Sequence, residues 1–226
     1  MRMSRPTIAI RSMLLALAGA AALAPLGACN IVAPIAYLVG GPPKVPAAYE
    51  LDKERPTTIF VDDRASVVPR RGLRLLIGSE VESLLIEKKA IKQEHMISAD
   101  STVRVALAER YGEPQSIDSI GESVGAQVVI YVEMAGWTLS RDGVSSAPAA
   151  RLSVKVLDVE NNVRLWPSSI NGHIMTISLP PTAARGPQTR VEQNAIEETL
   201  AKMAGLQIAR LFFTHEEDAL SGRLDD

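Results

Sequence analysis

The sequence predicts an α/β (α+β) domain, a mixed β-sheet with helices packed on it, preceded by a signal peptide and an extended tether. Three observations carry this reading. Two short runs, Thr57-Thr-Ile-Phe-Val61 and Val128-Val-Ile-Tyr-Val132, are β-branched and aromatic, as buried strands are. Apolar residues recur at helical spacing through Leu73, Leu76, Ile77, Val81, Leu84 and Leu85, and again from Val191 to Phe212. Residues 150–159 alternate, with Leu152, Val154 and Val156 on one face and Arg151, Ser153 and Lys155 on the other.

Taken in order, residues 57–61 form the first strand, ended by Asp62-Asp63-Arg64. A helix follows Pro69, with Glu80, Glu82 and Glu87 on its solvated face. Met96 and Ile97 suggest an edge strand. Ser98 or Asp100 caps a second helix through Val103, Ala106, Leu107 and Tyr111, which Gly112 stops. Ser116 caps a third, short helix that Gly125 ends. The strand from Val128 continues to Trp137. The alternating strand turns at Glu160-Asn161-Asn162 and returns through Val163-Arg-Leu-Trp166, forming a hairpin. Residues 170–179 suit a further strand and 180–187 a loop. A long helix spans about 189–214, and 216–226 form a polar tail.

The amino-terminal segment reads differently. Arg2, Arg5 and Arg11 precede an Ala- and Leu-rich run from Met13, too short to be a good membrane span of ~20 residues. Leu26-Gly27-Ala28-Cys29 ends it and resembles the lipobox of bacterial lipoproteins. That resemblance implies recognition of Leu26, Gly27 and Ala28 by the signal peptidase. It also implies a diacylglyceryl group and an N-acyl chain on Cys29, with membrane lipid as the partner of that residue. Cleavage after Ala22 is the nearest rival. Each buried methylene contributes ~0.8 kcal/mol, so several chains give a durable anchor. Asn30 in place of Asp favours the outer membrane under the enterobacterial sorting pattern, with the domain facing the periplasm. Residues 29–56, rich in Pro and Gly, read as a tether; the alternative is an arm docked on the domain through Tyr37 and Tyr49. The globular domain then occupies 57–215.

Cys29 is the only cysteine, which excludes an intramolecular disulfide and Cys-rich metal sites. Residues 1–28 hold three of the 24 Lys+Arg and none of the 26 Asp+Glu, so their removal leaves 21 − 26 = −5 in formal charge. That balance argues against nucleic acid as a partner. Aromatic residues at 4% argue against a large stacking platform.

Asp62 and Asp63 at a strand's end, with Glu133 at the end of the next clear strand, form the sharpest candidate ligand site. An acidic pair there resembles the Mg²⁺ site of response-regulator receivers, but no later strand supplies the Asp and Lys that such a site needs. The alternative is a loop in which the acids cap backbone or pair with Arg64, Arg70 or Arg71. His95, His173 and His215 lack ligand spacing, and no Gly-x-Ser-x-Gly elbow occurs. No catalytic residue, cofactor or metal is therefore expected. Trp137 and Trp166 read as core or sheet-edge residues.

Ile120-Gly-Glu-Ser-Val-Gly-Ala-Gln-Val-Val-Ile-Tyr-Val-Glu133 and the hairpin of residues 152–166 resemble the segments of periplasmic lipoproteins related to CsgG, LpoB and the amino-terminal domain of TolB. Gly125-Ala126 stands at their helix-to-strand passage, with Gln127 where Asp is usual. The resemblance implies an anticodon-binding-like sandwich without an active site, and a non-catalytic accessory role in envelope assembly or secretion. A protein partner or a homo-oligomer follows from it. The rival expectation is a ligand- or metal-binding hydrolase-like domain using Asp62 and Asp63, and a third is a structural spacer.

Overall fold

A computed structural model describes residues 43–107, 115–140, 145–180, 182–185 and 189–217. The signal segment, Cys29 with Leu26, Gly27 and Ala28, the tether up to residue 42, Tyr111 and Gly112, and the tail beyond 217 lie outside the described residues. The chain divides into two units, Met1–Val45 with Glu216–Asp226, and Pro46–His215. Within the first, the Glu217 N–H donates to the Pro43 carbonyl at 2.9 Å.

The second unit is a mixed sheet with helices on it. Its strands are β1 (Thr57–Asp62), β2 (Met96–Ile97), β3 (Val128–Thr138), β4 (Ser145–Ser146), β5 (Ala149–Asp158), β6 (Val163–Trp166), β7 (His173–Ser178) and β8 (Thr182–Arg185). Its helices are α1 (Arg71–Glu87), α2 (Ala99–Leu107), α3 (Ile117–Val124) and α4 (Arg190–Arg210). The main sheet runs β2-β1-β3-β5, parallel across β1, and antiparallel from β3 to β5. Both β6 and β7 pair with the outer side of β5, one along each half of its length.

Every residue of β1 is buried, which explains its unbroken β-branched and aromatic run. On one face α1 and α4 cover Ile59, Val61, Ile130, Val132, Leu152, Val154 and Val156. On the other, Ile120 of α3 and Val105 and Ala106 of α2 cover Phe60, Val129 and Tyr131. The Ser116 hydroxyl accepts from the Ser119 N–H at 3.2 Å and caps α3. Gly125 ends α3 in the left-handed region, φ 77°, where a side chain would be strained. Gly121 matters for another reason: a Cβ there would stand 2.6 Å from the Val159 Cγ2, so its absence lets α3 lie close on the sheet. Thr189 and Glu192 form a reciprocal capping box that starts α4.

Three expectations change. The tether's last part is not free: Ala48 and Tyr49 N–H groups both donate to the Leu211 carbonyl, and Leu51 is buried. Tyr49 packs on Trp166, ring centroids 6.2 Å apart, and Arg55 binds Asp158 at 2.9 Å. The compact unit spans Pro46–His215. Within 180–187, expected as loop, Thr182–Arg185 pairs with Ser145–Ser146. The glutamates of α1 are not all solvated: Glu82 accepts from the Ala99 N–H at 3.1 Å, serving the start of α2.

An ion pair joins Arg70, the residue before α1, to α4. Glu197 is 1% exposed and accepts from Arg70 Nε at 2.8 Å and from Gln193 at 2.9 Å. Its desolvation is offset by those charge-assisted bonds.

Candidate functional site

The parallel register sets Asp62 opposite Glu133, so both project from the sheet face that carries α2 and α3. They do not join into one acidic site. Asp62 is 5% exposed, and its Oδ2 accepts from the Tyr131 hydroxyl at 2.8 Å and from Arg64 Nε at 2.8 Å. Burial, and the hydrogen bond to Asp62, push the Tyr131 phenol well above its ordinary value, so it remains a donor to the carboxylate. Asp63 turns into its own loop and accepts from the Val67 and Val68 N–H groups at 2.8 and 3.1 Å. Glu133 is exposed, 3.7 Å from Lys155 Nζ and 3.5 Å from the Ser153 hydroxyl. Among the described residues no three His, Cys, Asp or Glu side chains are grouped to hold a metal. The arrangement is that expected of capping and paired acids.

Beside these residues is a surface that strand periodicity alone did not identify. Helices α2 and α3 cover β1 and the start of β3. Farther out, the same face presents Arg151 and Lys155 of β5, and Ile174 and Thr176 of β7. No described helix lies over these residues. Ile174 is 52% exposed, and Ile170 in the β6–β7 connection is 77% exposed. A groove of about 440 Å³ runs between the first turn of α3 and the β5–β6 hairpin. Arg64, Lys155 and Arg164 contribute cations to its wall, and Asp118 one acid. Ile117, Leu157, Val163 and Ile170 make the apolar part.

The local structure fixes each cation. Arg64 is held by Asp62 and donates to the Gln115 carbonyl at 3.1 Å. Lys155 lies over the Tyr131 ring, 5.8 Å from its centroid. Arg164 sits opposite Leu157 and donates to the Ser169 carbonyl. The hairpin that carries it is set by Asp158, which accepts from the Asn161 N–H at 3.0 Å and the Asn161 amide at 3.1 Å. Burial raises the Asp158 carboxyl, but the Asn161 bonds and the Arg55 guanidinium outweigh it and hold it below the ordinary range.

No family model matches the chain, and no curated protein matches it in sequence. Solved structures show remote likenesses. The PelC dodecamer subunit of Paraburkholderia phytofirmans is 10% identical with a TM-score of 0.40, over 75% of this chain and 94% of that one. Lipoprotein GNA1162 of Neisseria meningitidis is 10% identical with a TM-score of 0.36, over 65% and 96%. The LpoB carboxy-terminal domain of Salmonella enterica is 15% identical with a TM-score of 0.30, over 55% and 83%. These likenesses transfer no ligand, partner or activity.

Proposed function

We propose that this chain is a lipid-anchored, non-catalytic protein of the bacterial cell envelope whose α+β domain binds another protein. The anchor is a diacylated and N-acylated Cys29 at the end of the lipobox-like Leu26-Gly27-Ala28, on the outer membrane and facing the periplasm. On the sequence resemblance over residues 120–166, the domain belongs with the CsgG, LpoB and TolB group and acts as an accessory factor in envelope assembly or secretion.

The observation that carries the binding role is the part of the sheet over which no described helix lies, where Ile174 of β7 is 52% exposed, together with Ile170 of the β6–β7 connection, 77% exposed on the groove wall. Large apolar side chains exposed beside a groove suit an interaction surface. The commitments of the acids weigh in the same direction. Asp62 is engaged by Tyr131 and Arg64, and Asp63 by its own backbone, which leaves a hydrolase-like reading without a free carboxylate pair.

The test is the native size of the lipoprotein extracted from its own cells in mild detergent. A complex larger than the monomer is expected, and Ile170→Asp with Ile174→Asp should dissolve it while the denaturation midpoint stays unchanged. A monomer in both samples, or a complex indifferent to the two substitutions, would refute the reading.

A further inference from the structure

Building on that protein-binding reading, we propose that the occupant of the groove is an extended acidic segment of the partner, with apolar side chains set between its carboxylates. Of the three cations on the groove wall, Arg64 is paired with Asp62 and Lys155 approaches Glu133, while Arg164 has no acidic partner among the described residues of a chain whose formal charge is −2. A cation left without an acid on an otherwise acidic protein selects the opposite sign in a partner.

Arg164 carries the most weight. Among the described residues no acid lies within ion-pair distance of it, and the Ser169 carbonyl that it touches orients the guanidinium without neutralising it. The planar fork has further donors to give, and a carboxylate accepts from two at once. Lys155 lines the same wall with its side chain 21% exposed, and its approach to Glu133 is 3.7 Å. Arg64, fixed by Asp62 and the Gln115 carbonyl, closes the far end.

Between the cations the wall is aliphatic. Ile117 and Leu157 form the floor side, and Val163 (49% exposed) and Ile170 (77% exposed) the rim. Such a surface suits a chain that alternates acidic and aliphatic side chains, and it offers no aromatic face for a base or sugar to stack on. An extended segment also fits beside β6, which pairs with β5 and has no strand on its other side among the described residues.

The experiment uses the full lipoprotein in nanodiscs of zwitterionic lipid. Fluorescence anisotropy follows a labelled eight-residue peptide that alternates Glu and Leu, with Lys-Leu and Ser-Leu counterparts. The Glu-Leu peptide is expected to bind, to weaken as salt rises, and to lose roughly tenfold in affinity on Arg164→Glu or Lys155→Glu, the order expected when attraction becomes repulsion at a partly exposed site. Ile170→Ser should weaken it by a smaller factor, and Arg104→Glu on α2 should leave it unchanged. No binding, equal binding of the Lys-Leu peptide, or indifference to both reversals overturns the proposal. Retention on phosphatidylglycerol vesicles through Arg164 also overturns it, in favour of a membrane surface. Should the Ile170-dependent complex persist in cell extracts while the acidic peptide fails, the acidic chemistry falls and the protein-binding reading stands.

Discussion

Replacing Gly205 by alanine sets two effects of similar size against each other, and the packing of α4 on α1 decides between them. Alanine is favoured over glycine in a helix interior by ~1 kcal/mol, so propensity alone would stabilise the variant. Yet the new Cβ would stand 2.6 Å from the Glu80 Cβ, 2.8 Å from its Cγ and 3.0 Å from the Ile77 carbonyl oxygen. The nearest atom is fixed to the α1 backbone and another is backbone itself, so a rotamer change cannot relieve the contact and the helices must separate. Overpacking of this kind costs about 1–3 kcal/mol, and backbone involvement places this site in the upper part of that range. The net effect is a loss of about 1–2 kcal/mol. For a domain of this size that lowers the melting temperature by roughly 2–8 °C. Urea denaturation is the cleaner assay, with a lower midpoint and an unchanged slope. Gly72→Ala is the control, because nothing lies within 4 Å of its added Cβ and a small gain is expected. A midpoint for Gly205→Ala equal to or above wild type would refute the α1–α4 packing described here.

Glu197→Ala removes the carboxylate that Arg70 and Gln193 share, and the Arg70 side chain is already 36% exposed. With that escape to water the loss is about 2 kcal/mol, below the range for a fully buried pair, and urea midpoints measure it. Asp158 has a depressed folded-state pKa, so its contribution is complete above the ordinary carboxyl value of 3.8 and disappears as pH falls through the lower folded value. Asp158→Asn should therefore be less stable near neutrality and flatter between pH 4 and acid; an unchanged acid profile counts against this. Cys29→Ser should move the protein from the detergent-rich to the aqueous phase and abolish the acyl mass increment, whereas continued membrane retention would remove the lipid anchor from the account.

The strands and caps were legible because their determinants are local. Alternation over 150–159 is β5, the Asn161-Asn162 turn is the hairpin, and Ser116 and Gly125 bound α3 as their chemistry requires. The docked arm was legible only as an alternative, through Tyr49, because Pro46–Pro56 lacks periodicity and is held by separate anchors. Tyr49 meets Leu211 and Trp166, and Arg55 meets Asp158, 103 positions away. The acids were legible in part, as residues that cap backbone or pair with Arg64. Asp62 pairs with the nearby Arg64 but also accepts from Tyr131, 69 residues on, which no strand-end motif announces. Lys155 fell on a face expected to be polar, and Arg164 on the returning strand of the hairpin. Whether such a face meets solvent or a partner depends on where α2 and α3 stop, which is a property of the assembled layers.

The most direct test of the central claim is site-specific photo-crosslinking in living cells, with the reactive side chain placed at Ile174 on the open sheet face and, separately, at Arg104 on α2. The expected result is a discrete protein adduct from position 174 and none from 104. An empty result at 174, or equal labelling from both positions, would contradict the assignment of the β5–β7 face as the domain's binding surface.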